Sequence, residues 1–173
     1  MTFSIRAIIR AVVAPDHRLS CTRALWDQGL TELRRRGGGV RESGAFLLGR
    51  QDGVRRRISR FAFYDDLDAH CLDSGIVTFD GAGYGPLWSL CRRTGLTVIG
   101  DIHTHPGVAR QSSSDRTNPM VATPGHLAII VPRLAQPSFK WPELGIYEYL
   151  GQHRWHEHSG AVAGRFFYVG LWG

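Results

Sequence analysis

Several things are scarce in this chain of 173 residues, and each scarcity excludes something. Cysteine occurs three times, at Cys21, Cys71 and Cys91. An odd count at wide spacings supports neither a disulfide framework nor a cysteine-rich zinc site, and it suits a reducing cytoplasm. Lysine is nearly absent: Lys140 stands alone, and the net charge of +6 is carried by arginine. No run approaches the ~18 apolar residues of a membrane span, so no membrane association is expected. The start, Met1 to Pro15, is broken by Arg6 and Arg10 and lacks the unbroken apolar stretch of a secretion signal. No Gly-rich phosphate loop precedes a helix, and neither a serine elbow nor a paired cysteine nucleophile is recognisable.

What is present fits one domain over residues 1–173. Hydrophobic content of 43% and charged content of 21% are those of a globular protein that needs no staples. Basic clusters stand at Arg34 to Arg36, Arg55 to Arg57 and Arg92-Arg93. A basic surface suits an acidic protein partner or nucleic acid, but the clusters lack the interleaved aromatics of a nucleic-acid groove, so nucleic acid is disfavoured and a solvated surface with a preference for arginine codons is the first reading.

Periodicity predicts a strand over Phe3 to Val13, with a short helix as the alternative, and a helix over Ser20 to Leu33, capped at Ser20 or Thr22 and ended by Gly37-Gly38-Gly39. Ser43 to Gly49 reads as a buried strand. Asp52-Gly53 turns it into a partner from Arg55 to Phe63. Further strands are expected at Ile76 to Phe79, Leu96 to Thr104, His126 to Val131, Gly145 to Leu150 and Arg154 to His158, with a helix over Pro86 to Thr94. This mixed order predicts an α/β (α+β) fold, a mixed β-sheet flanked by helices.

The chemistry concentrates in Asp101-Ile102-His103-Thr104-His105-Pro106 and the following Ser112-Ser113-Ser114-Asp115. Residues two apart on a strand share a face. His103 and His105 can therefore address one ion, and the intervening loop is long enough to return Asp115 as a third ligand. Two histidines and a carboxylate with an open position are a catalytic zinc set. The histidine pair alone is weak, since composition supplies roughly 0.4 such pairs in a chain of this kind. A second cluster, His153, His156 and His158, lies on a hairpin strand with no convincing third ligand and reads as exposed. His126 reads as a satisfied histidine before an apolar strand, and Asp101 and Thr104 as candidates to orient the ligands from behind.

His103-Thr104-His105-Pro106 with Ser112-x-x-Asp115 resembles the JAMM motif of the JAB/MPN metalloproteases. Glu42-Ser43-Gly44-Ala45-Phe46-Leu47-Leu48-Gly49 is similar to that family's glutamate before a strand ending in glycine. The interval from Pro106 to Ser112 is one residue shorter than the commonest family form, so Ser113 or Ser114 could stand in place of Ser112. The resemblance implies a JAB/MPN sandwich of cytidine-deaminase-like architecture. It implies one zinc per chain on His103, His105 and Asp115, Glu42 as general base and Ser112 as oxyanion donor. The implied activity is cleavage after the C-terminal glycine of a ubiquitin-like protein, by a compact prokaryotic deubiquitinase-like isopeptidase. Its setting would be a ubiquitin-like conjugation or antiphage defence system, with activating and conjugating enzymes as further partners. The alternative is a JAB-type protein associated with DNA repair.

Overall fold

The computed structural model describes residues 17–171 except Ile76 and Asp80. The strand expected over Phe3 to Val13 lies outside the described residues. The rest builds one eight-stranded mixed sheet. In chain order its strands are β1 (Leu19–Thr22), β2 (Gly44–Asp52), β3 (Arg55–Phe63), β4 (Thr97–Thr104), β5 (Leu127–Val131), β6 (Gly145–Gly151), β7 (Arg154–Glu157) and β8 (Phe167–Gly170). Their order across the sheet is β7-β6-β5-β4-β2-β3-β1-β8. β4 lies at the centre, antiparallel to β2 and parallel to β5.

The helices are α1 (Arg23–Arg36), α2 (Tyr64–Leu67), α3 (Gly81–Thr94), α4 (Ser113–Thr117) and α5 (Ala163–Phe166). α1 starts where Thr22 Oγ1 accepts from the Leu25 backbone N–H, and it stops at Gly37 with Arg34, Arg35 and Arg36 in its last turn. The Thr22 cap satisfies an unpaired N–H at the start, and the three arginines suit the negative end of the helix dipole. Arg36 then leaves the surface pattern: it pairs with Asp65 and Asp66 and tethers α1 to α2. α3 begins at Gly81, earlier than Pro86 suggests: Pro86 is its sixth residue, where the ring removes a single ladder bond and the helix continues through it.

Alternation along β2 sorts its residues onto two buried faces. Ala45 and Leu47 join Trp26 and Leu33 of α1, Phe61 and Ile102. Phe46 and Leu48 join Tyr64, Cys71, Leu72 and Leu87 of α3. Both faces are covered at the centre of the sheet, so β5 and most of β2 read as continuous apolar runs. Val77 to Phe79 pair with no strand, although Phe79 packs on Phe46 and Tyr84. No helix among the described residues is long and apolar enough to cross a membrane.

Candidate metal centre

His103 lies at the carboxyl end of β4 and His105 just beyond it. By register Asp101 faces Phe46 and His103 faces Gly44, so Asp101 and His103 point to the α3 side of the sheet. Gly44 has a steric reason. A Cβ there would lie 2.3 Å from the Tyr64 ring and 2.8 Å from the Ile102 carbonyl oxygen. The His105 backbone is held at both ends. Its N–H donates to the Val131 carbonyl, and its carbonyl accepts from the Leu134 N–H, each at 2.9 Å. Leu134 belongs to a left-handed turn, Arg133 to Ala135, with φ of 52°, 52° and 58°. Left-handed backbone costs a residue with a side chain about 1–2 kcal/mol. Nothing in the sequence announced this turn, which contains no glycine or asparagine.

The crossover from β4 to β5 supplies Asp115. Its segment forms α4, capped by Ser112: Ser112 Oγ accepts from the Asp115 N–H at 3.1 Å, and the Asp115 carboxylate answers. Asp115 Oδ2 accepts from the Ser112 N–H at 2.7 Å and from Ser112 Oγ–H at 2.8 Å. A capping box thus aims the carboxylate. Ser112 is the serine engaged with Asp115, while Ser113 and Ser114 lie inside the helix and are exposed.

The trio converges. His103 Nε2 and His105 Nε2 are 3.0 Å apart. Asp115 Oδ1 is 3.5 Å from His103 Nε2, and Oδ2 is 3.4 Å from His105 Nε2. One donor atom from each residue lies within 4.8 Å of the others. Two imidazole nitrogens and a carboxylate gathered so closely could hold a metal ion. Among the described residues no other group of three histidines, cysteines or carboxylates is so placed. The His156 and His158 rings lie 4.6 Å apart, but His153 does not join them in a group of three, and His158 bonds Glu148 at 3.1 Å and stacks on Phe166.

The electrostatics follow from this crowding. Burial disfavours a charged His103, but the carboxylates of Asp101 and Asp115 outweigh it and raise its pKa to about 10. Asp115 is partly desolvated, yet His103, His105 and the Ser112 N–H hold its carboxyl far below the ordinary range. Asp101 is fully buried, and His103 and His126 still draw its pKa down. Burial drives the Tyr64 phenol up, and the Asp101 charge adds to this.

Glu42 is half-buried and lies two residues before β2. Thr104 Oγ1 accepts from the Ser43 N–H at 3.0 Å, and the Thr104 N–H donates to the Ser43 carbonyl at 2.9 Å. The antiparallel register therefore continues one residue past Gly44, to Ser43 and Thr104, and the Glu42 N–H turns away to the Gly75 carbonyl at 3.1 Å. Thr104 thus fixes the strand that carries Glu42 and bonds no ligand side chain. His126 is the satisfied histidine before an apolar strand that the sequence leads one to expect. Its Nε2 lies 2.7 Å from Asp101 Oδ1, and both residues are buried.

No family model matches the chain. It is 31% identical over 77 residues to a probable metalloprotease, y4jG, of Sinorhizobium fredii. The match takes in 44% of this chain and spans about half, 48%, of that relative. Two solution structures share the fold. A Desulfitobacterium hafniense protein superposes with a TM-score of 0.62 at 19% identity, over 87% of this chain and 92% of its own. A Salinibacter ruber protein superposes with a TM-score of 0.56 at 21% identity, over 80% of this chain and 87% of its own.

Proposed function

We propose that the chain is a zinc metallopeptidase of the JAMM type that hydrolyses the bond following the C-terminal glycine of a ubiquitin-like protein. The observation that carries this reading is the convergence of His103 Nε2, His105 Nε2 and the Asp115 carboxylate at the end of β4. A tetrahedral zinc with bonds of about 2.0–2.1 Å keeps its donor atoms about 3.3–3.4 Å apart. The two imidazole nitrogens are 3.0 Å apart and lie 3.5 and 3.4 Å from Oδ1 and Oδ2 of Asp115 respectively, so a small turn of the carboxylate would seat one oxygen beside both nitrogens. The name of the Sinorhizobium relative supports the coarser part, a metal-dependent protease.

Zinc bound there would polarise the scissile carbonyl and make water acidic enough to ionise near neutral pH. The chain's own groups divide the remaining work. Glu42, two residues before the strand that pairs with β4, takes the proton of the attacking water and hands it to the leaving amine. The Ser112 hydroxyl turns from Asp115 to the oxygen that becomes negative, while the Ser112 N–H keeps Asp115 in place. Glycine before the scissile bond suits a narrow approach, because no side chain meets the walls. The folded body of the substrate supplies affinity outside the cleft, and an acidic body would match the arginine surface.

Mass spectrometry of products tests this. A fusion carrying a ubiquitin-like protein should be cut directly after the terminal glycine, and its isolated tail peptide should be cut poorly. Equal kcat/KM on the two would reduce the reading to that of a general metallopeptidase.

A further inference from the structure

Asp101 is a carboxylate buried on the face that also carries Phe46 and Tyr64, 2% exposed, on the strand that ends in the ligands. Burying a charge costs several kcal/mol unless it is well partnered. Its two oxygens address two different rings. Oδ1 is 2.7 Å from His126 Nε2, and Oδ2 is 3.6 Å from His103 Nδ1. His103 Nδ1 is itself buried and makes no hydrogen bond. His126 is held independently of this pair. Its N–H donates to the Thr123 carbonyl at 3.0 Å, and its carbonyl accepts from the Tyr149 N–H at 2.8 Å. The approach of the two strands depends on Gly100, where a Cβ would lie 2.6 Å from the Leu127 carbonyl oxygen. β5 can therefore enter close beside β4, and His126, the residue before β5, comes within reach of Asp101.

We propose that His126 is a positioning residue for the metal centre. Its Nε2–H anchors Asp101, and the anchored Asp101 accepts from His103 Nδ1–H, which leaves the His103 Nε2 lone pair facing the ion. A histidine ligand has two tautomers, and only the one protonated at Nδ1 can bind through Nε2. Groups that fix this choice change metal affinity by about 10–100-fold without touching the ion. The gap of 3.6 Å closes by a small turn of the His103 ring when Nε2 is engaged. His126 thus acts on the metal through two side chains, from a position 23 residues after His103 in sequence. The inference rests on the reading of His103, His105 and Asp115 as a metal site.

The measurement is zinc affinity, by competition with a chromophoric chelator, on the whole chain. Folding of each variant is checked by circular dichroism. His126→Phe fills the space without a donor and should weaken binding about 10–100-fold. His126→Gln places an amide N–H where Nε2 lies and should restore affinity to within a few-fold. If His126→Phe fails to fold, a double-mutant cycle replaces it. Adding His126→Leu to Asp101→Asn should then cost little beyond Asp101→Asn alone. Unchanged affinity in folded His126→Phe, equal losses for Phe and Gln, or additive losses in the cycle would each overturn the proposal. Wild-type protein with no zinc at the trio, checked with His105→Ala, would instead overturn the metal site itself.

Discussion

At the scale of single residues, the site separates holding from reacting. His103, His105 and Asp115 contribute one donor each, and a set of three has none to spare. His103→Ala or Asp115→Ala should therefore lose bound metal, as read by elemental analysis. Glu42 makes no ligand contact in this account. Glu42→Gln should keep the metal and the fold but lower kcat by about 100-fold or more, the usual worth of a general base. Wild-type turnover in that variant would remove Glu42 from the mechanism. The three serines are separated by the capping geometry. Ser112 touches Asp115 through both its backbone and its hydroxyl, whereas Ser113 and Ser114 do not. Ser112→Ala should slow turnover and shift metal affinity modestly. Ser113→Ala and Ser114→Ala should leave both close to wild type, and a severe loss in either would displace Ser112 from the role.

At the scale of elements, glycine and left-handed backbone decide where substitutions matter. Gly44→Ala would drive a methyl into the Tyr64 ring and the Ile102 carbonyl, opposite His103. Overpacking of this kind costs about 1–3 kcal/mol, and the urea midpoint should fall accordingly. The β6–β7 hairpin offers the opposite case. Gln152 and His153 sit at φ of 54° and 56°, the geometry of a type I′ turn that prefers glycine. His153→Gly should raise stability by about 0.5–1 kcal/mol with unchanged metal content. A loss of metal there would reopen the second histidine cluster as a site.

Strands with strong patterns were legible in the sequence, and so was the trio. β2, the Asp52-Gly53 turn and β3 follow from alternation and turn chemistry, and the spacing of His103 and His105 follows from strand geometry. The short pieces were not. β1, α2 and β8 are four residues each, too short for periodicity to register. The pairing of Asp101 with His126 depends on β5 lying parallel to β4, a contact across 25 residues that no local signal encodes. The left-handed turn behind His105 was hidden for the same reason, because tertiary hydrogen bonds impose it on residues with no such preference.

For the whole molecule, proton and metal compete for the same nitrogen, and this gives stability a pH signature. In the metal-free protein the His103 pKa is raised from 6.5 to about 10. A raised pKa means that the folded state binds the proton more tightly than the unfolded chain does. The stability this contributes is complete below about pH 6.5 and is lost as pH rises through about 10. Asp115 shifts the other way, so its contribution is lost only in acid and stays constant in this window. Metal binding requires the His103 proton to leave, so affinity should rise with pH. The Tm of metal-free protein should then fall between pH 7 and 9.5, while the increment produced by zinc grows over the same interval. Parallel curves for the two forms would contradict the coupling.

The most direct test of the central claim is the zinc stoichiometry of purified wild-type protein, His105→Ala and Glu42→Gln, measured side by side by elemental analysis. Wild type and Glu42→Gln should each hold about one zinc per chain, as a three-ligand site with an uncoordinated base requires, and His105→Ala almost none. Full zinc occupancy in His105→Ala, or none in the folded wild type, would contradict it.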